Sequence, residues 1–208
     1  MFRPQFQSSV AHVSQALREP EEFALRWQRG EASYRWWVWL ALILTAMLGT
    51  TTYGMIMGLL GGPRLVLVSA LSCTTAAGLA WGVALPALYI LNSLAGSRLP
   101  ASSTFLAALV TVSWGGLAMI ASIPVSWFFS VSLPGLVSSS SLPWLIRIVH
   151  LTVFAGVGIA MIDVFGRVMS ALEPERGAKP LWWLFVVAAI GAELFYAFGL
   201  FHFASLAQ

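Results

Sequence analysis

The sequence predicts an all-α polytopic membrane protein: a bundle of five transmembrane helices preceded by a short amphipathic cytoplasmic helix. Three observations predict it. Charged residues make up only 9% of the 208 positions and hydrophobic residues 59%, where a soluble domain carries about 25% charged residues; mean hydropathy is +0.83. Apolar runs recur at about 20 residues or longer, the length a helix needs to cross about 30 Å of hydrocarbon. Nine of the eleven basic residues fall on one predicted side of the membrane, as the positive-inside rule requires. Such a composition excludes a soluble enzyme domain, a disordered chain and a nucleic-acid binder. One cysteine, Cys73, excludes a disulfide framework within the chain and a cysteine-only metal site.

The segment 1–35 is read as cytoplasmic. It has no short apolar stretch with a small-residue cleavage site, so it is not a signal peptide. Arg18-Glu19-Pro20-Glu21-Glu22-Phe23 reads as a helix start, with proline in the first turn and acids at the positive end of the helix dipole. Phe23 and Trp27 sit four apart on one face, and Glu22 and Arg26 pair beside them. That face is expected to lie on the inner leaflet or to dock a cytoplasmic partner.

The transmembrane domain is predicted over 36–208, with spans at 36–60, 65–94, 105–129, 144–169 and 181–203. Runs this long and apolar on every side can be satisfied in lipid only as helices. Between the third and fourth lies Ser130 to Ser141, an uncharged Ser/Pro/Gly stretch read as a loop. Arg3, Arg18, Arg26, Arg29, Arg35, Arg98, Arg167, Arg176 and Lys179 fall inside; only Arg64 and Arg147 fall outside. The amino terminus is therefore expected in the cytoplasm and the carboxyl terminus outside. Trp36, Trp37, Trp39, Trp127, Trp144, Trp182 and Trp183 gather near span ends, where an indole is half wet.

Within the spans, GxxxG occurs at Gly54–Gly58 and at Gly78–Gly82. Small residues four apart let helix backbones approach, and packing inside the chain is favoured over dimerisation. Thr50, Thr51, Thr52, Ser72, Thr74 and Thr75 read as interhelical hydrogen-bond glue. Pro86 and Pro124 each remove a backbone donor and predict a kink.

Ionisable residues at depth are few and should face protein or water. Counting 1.5 Å per residue from the outer ends, His150 lies about 12 Å down, Arg147 about 7 Å and Glu193 about 15 Å. With the last two spans as antiparallel neighbours, Arg147, His150 and Glu193 are predicted to form an intramembrane polar cluster. It acts either as a structural clasp or, in the alternative reading, as a proton or ion relay. Asp163 and Arg167, four apart at the inner end of the fourth span, are predicted to pair. His12, His150 and His202 offer no zinc-binding spacing, and the depths of His150 and His202 differ too much for haem. With no phosphate loop, GxSxG elbow or CxxC present either, neither a catalytic site nor a cofactor is expected.

The middle of the chain carries a family likeness. Leu85-Pro86-Ala87-Leu88-Tyr89-Ile90-Leu91-Asn92, then Gly96-Ser97-Arg98-Leu99, then Ala121-Ser122-Ile123-Pro124 with Trp127-Phe128-Phe129, resemble bacterial members of the Yip-type five-span membrane proteins. The likeness extends from Arg18–Phe23 to about Met169. It implies five helices with a cytoplasmic amino terminus and an external carboxyl terminus. The acidic aromatic amino-terminal motif of eukaryotic relatives is missing here, so their role in vesicle traffic does not carry over. The function expected is a non-enzymatic scaffold or accessory subunit of a larger membrane assembly, with membrane-protein partners or further copies of itself in the bilayer. The alternative is a subunit of an ion- or proton-coupled transporter or channel using Glu193, His150 and Arg147.

Overall fold

A computed structural model of the chain describes residues 12–32, 34, 36–138, 140–176 and 183–200, with the backbone alone at 183 and 184. Among these residues there is helix and turn but no strand. A helical stretch over 12–18 (α1) leads into α2 (Pro20–Gln28), followed by α3 (Trp36–Met57), α4 (Gly62–Leu94), α5 (Ala101–Leu136), α6 (Leu142–Leu172) and α7 (Trp183–Ala197). Short 3-10 turns follow α3 at Leu59–Gly61 and α6 at Pro174–Arg176.

Helices α3 to α6 are long and apolar enough to cross a bilayer, which makes the chain an integral membrane protein. Their apolar residues run all the way round, so many face outward: Leu48, Leu67, Leu71, Val83, Phe128 and Ile159 are exposed. In water such a surface would aggregate; in lipid it is the solvated face. Trp36 and Trp144 are also exposed in the first turns of their helices, whereas exposed Trp127 lies inside α5, because that helix runs on to Leu136. Helix α7 has 15 described residues, or about 22 Å of rise, and gives way to a turn over 198–200. The remainder of the predicted fifth span, 181–182 and 201–203, lies outside the described residues, as do His202 and Trp182.

The expected loop from Ser130 to Ser141 is largely helix, since α5 continues to Leu136. Polarity does not end a membrane helix when each hydroxyl bonds its own backbone. Ser122 donates to the Ala118 carbonyl and Ser130 to that of Ser126, both at 2.8 Å. Pro86, Pro124 and Pro134 likewise sit inside continuous helices.

The bundle is assembled around α3 and α5, with α4 against α3, α6 against α5 and α7 against α4. The closest approach is glycine on glycine. A Cβ on Gly116 would stand 2.9 Å from the Ala46 Cα, and one on Gly49 would overlap the Gly116 carbonyl. Of the two GxxxG motifs, Gly54–Gly58 packs within the chain: a Cβ on Gly54 would lie 2.7 Å from the Ser69 carbonyl oxygen of α4. Gly78–Gly82 does not; both glycines face outward, with nothing within 4 Å of an added Cβ. On α4 the inward face is instead the alanine row Ala76, Ala80 and Ala84.

Candidate functional site

The polar centre of the bundle is built on Tyr53. Its hydroxyl lies 2.9 Å from His150 Nδ1 and 3.1 Å from Ser126 Oγ, joining α3, α6 and α5 at one point. All three side chains are buried. The Tyr53 ring meets the imidazole edge-on at 5.6 Å and 88°, and Phe154 also meets the Tyr53 ring edge-on, at 5.4 Å. Around them close Met57, Cys73, Ala76 and Ile146. Two proton arrangements satisfy the trio: Ser126 donates to Tyr53 and Tyr53 to Nδ1 of an imidazole protonated on Nε2, or an imidazole protonated on Nδ1 donates to Tyr53 and Tyr53 to Ser126. Taken together the three form a chain of donors and acceptors within the spanning region, with no carboxylate in it.

The predicted cluster of Arg147, His150 and Glu193 is not assembled. His150 turns toward α3 and α5, while Glu193 is exposed on α7 and makes no hydrogen bond or ion pair with His150 or Arg147. The reason is topological: α7 packs against α4, and the sequence neighbours α6 and α7 meet at a ring contact between Phe154 and Phe195. Matching depth was necessary for the cluster but did not choose its partner. The Nε of Arg147 is buried without a hydrogen-bond partner.

Hydroxyl glue is present between the spans. Thr74 of α4 pairs with Thr51 at 2.7 Å and with Thr50 at 3.4 Å on α3, and Ser113 of α5 donates to the Leu42 carbonyl at 2.8 Å. Each contact replaces a polar group that would otherwise face hydrocarbon.

A second polar site sits at the helix ends next to α2. Arg176, just past α6, donates to the side-chain oxygen of Asn92 and to the Ala95 carbonyl at 3.0 Å, capping the C-terminus of α4 with a cation. Glu173 accepts from the Ser97 hydroxyl and the Arg98 amide, both at 2.9 Å, and from Arg176 at 3.2 Å. Burial pushes the Glu173 carboxyl up, but these three donors outweigh it and hold the group below the usual carboxylate range. A cleft of about 520 Å³ opens beside it, with Gln28, Arg98 and Glu175 on its walls. Sequence reasoning missed this site; Asn92 in the last turn of α4 and the Glu173/Arg176 spacing were its only signals.

At the amino-terminal side, Phe23 is fully buried and stacks on Tyr34 at 4.1 Å, while Trp27 stacks on Tyr34 and meets Trp39 edge-on. The expected membrane-surface or partner-docking face is therefore spent on the protein itself, because α2 packs against α5 and α6. Arg26 reaches Gln15 rather than Glu22. Arg167 bonds Asp163 at 3.0 Å and also pairs with Glu21, tying α2 to α6. Gln28 adds a hydrogen bond to the Leu172 carbonyl at 3.2 Å.

Compared with protein-family models, curated proteins and solved structures, the chain matches none. Among the described residues no group of His, Cys, Asp and Glu is arranged to hold a metal ion.

Proposed function

We propose that this chain is a five-span, non-enzymatic protein of a bacterial inner membrane, with its amino terminus in the cytoplasm and its carboxyl terminus outside, acting as scaffold or accessory subunit of a larger membrane assembly. The observation that carries the proposal is Glu193, exposed on α7 and bonded to neither Arg147 nor His150. A carboxyl on the outer face of a membrane helix is costly in lipid. A neighbouring subunit that supplies a hydrogen-bond donor or a cation there removes the cost. Supporting it, Tyr53, Ser126, His150, Thr51, Thr74 and Ser113 are engaged in bonds between helices, which gives them a structural role. The likeness of 85–92, 96–99, 121–124 and 127–129 to Yip-type proteins agrees with five spans, and the basic segment before α3 with a cytoplasmic amino terminus.

The test is purification from cells in a mild detergent, as wild type and as Glu193→Ala. Stoichiometric partner subunits, lost in the variant, are expected. A monomeric, partner-free wild-type protein overturns the reading.

A second reading, a proton- or ion-coupled transport subunit, is favoured by the Ser126–Tyr53–His150 chain alone. It ranks second because Glu193 is not part of that chain. Liposome proton flux that disappears in Tyr53→Phe would promote it; flux at background in the wild type removes it.

A further inference from the structure

Helices α4, α5, α6 and α7 do not close on one another throughout the spanning region. Between them lies a cavity of about 390 Å³, within the usual range of small-molecule sites. Along α6 it is lined from Leu151 to Ile162, about 16 Å of helix, so the volume is a slot running along the bundle and not a round chamber. Ala155 of α6 and Ala188 of α7 line it and are also exposed. The slot therefore opens sideways, where a bilayer presents acyl chains.

Its chemistry selects the occupant. No charged residue lines the slot. The Thr111 hydroxyl already donates to the Ala107 carbonyl at 2.8 Å, which leaves the Trp81 indole as the polar group at the wall. A buried water needs two to four polar partners, so the slot is not a water or ion path. An empty slot would forfeit the contacts of its lining atoms.

We infer that the slot binds one hydrocarbon chain of a bilayer lipid, entering between α6 and α7 and packing along α6. Recognition is of the chain and not of a headgroup. The inference rests on α4, α5 and α6 crossing the membrane and not on the scaffold role. Loss of partner subunits in the preceding experiment leaves it untouched.

Gly158 provides the test. It lines the slot, and a Cβ built on it meets no atom within 4 Å. Gly156, two residues earlier, is equally open but faces outward and is not part of the lining. The full chain is reconstituted into phosphatidylethanolamine/phosphatidylglycerol nanodiscs containing phospholipid with a diazirine in one acyl chain. After irradiation, labelled peptides are mapped by mass spectrometry. Strong labelling of α6 around Phe154–Met161 is expected, lost in Gly158→Leu and retained in Gly156→Leu. Ala188→Phe blocks the slot from α7 and is expected to lose the label too, which covers the case that Gly158→Leu does not fold. The inference is overturned by labelling of this segment no stronger than that of the outward face of α3, or by labelling unchanged in both slot-filling variants. It is equally overturned if Ala155→Cys, oxidised in vesicles of the same lipids, forms a disulfide with a second copy of the chain, which would make the occupant protein.

Discussion

The two sides of this bundle are held by different physics. On one side α3 meets α5 and α4 through Gly49, Gly116, Gly54 and Gly58, with Tyr53, Ser126 and His150 bonded across three helices. On the other, α7 leans on α4, and an apolar slot separates it from much of α6. Lipid tails are as apolar as leucine, so helices in a membrane gain nothing by merely hiding hydrophobic surface. They associate where backbones approach closely or where polar groups need one another. The first side has both devices. The second is packed by small side chains: a Cβ on Gly191 would sit 3.9 Å from that of Ala80, in ordinary contact. The first side is a fixed frame, and the second is the place where lipid or a partner can enter.

The largest effect should come from forcing the frame apart. Gly116→Leu places a side chain against the backbone of Ala46, where nothing flexible can yield. Overpacking of this kind costs about 3 kcal/mol or more. Gly78→Leu, on the outward face of α4, should change stability by less than about 0.5 kcal/mol. Thermal unfolding in detergent micelles, with both variants side by side, checks the contrast. Equal sensitivity at the two positions would dissolve the distinction between frame and open side.

Next in size is Tyr53→Phe. Ring packing is kept, but Ser126 and His150 Nδ1 lose their common partner in a buried site. The expected cost is about 1–2 kcal/mol, since the unfolded chain in a membrane also finds partners. A double-mutant cycle with Ser126→Ala should show coupling between the two hydroxyls, because they touch at 3.1 Å. Additive losses would mean that the trio is a coincidence of packing and not a clasp.

The membrane class and the succession of long apolar helices were legible because they depend on totals: charge content and run length. Partner choice was not legible. The spans are apolar on all faces, so no amphipathic stripe declares which way Glu193 or His150 points, and sequence neighbourhood misassigned α7 to α6. Trp27 and Phe23 declared a face, yet the sequence could not say that the protein's own helices would cover it. Tyr53, placed in Thr50-Thr51-Thr52-Tyr53-Gly54, carried a signal that went unused: a phenol inside an apolar run needs a partner for its hydroxyl. The same logic identified the threonine contacts. Gly116 gave less away, since close approach is a property of two helices at once.

The smallest expected effect concerns how the two walls of the slot are joined beyond the bilayer. Helices α4 and α6, apart along the slot, are tied at one end by Glu173 and Arg176, which bond Ser97, the Arg98 amide, Asn92 and the Ala95 carbonyl. The Glu173 carboxyl is held below its usual range in the folded protein. A lowered folded value means that the ionised form stabilises the fold above the ordinary carboxylate pKa, and that this contribution is lost as pH falls through the lowered value. Glu173→Gln should therefore cost about 1 kcal/mol at neutral pH and flatten the acid limb of the stability profile, so that wild type and variant converge in strong acid. Melting temperature followed from pH 7 downward for both proteins reads this directly. Parallel profiles would show that the carboxylate is not the group clamping α4 to α6, and would leave Arg176, capping α4 by its own carbonyl contacts, as the sole tie at that end of the slot.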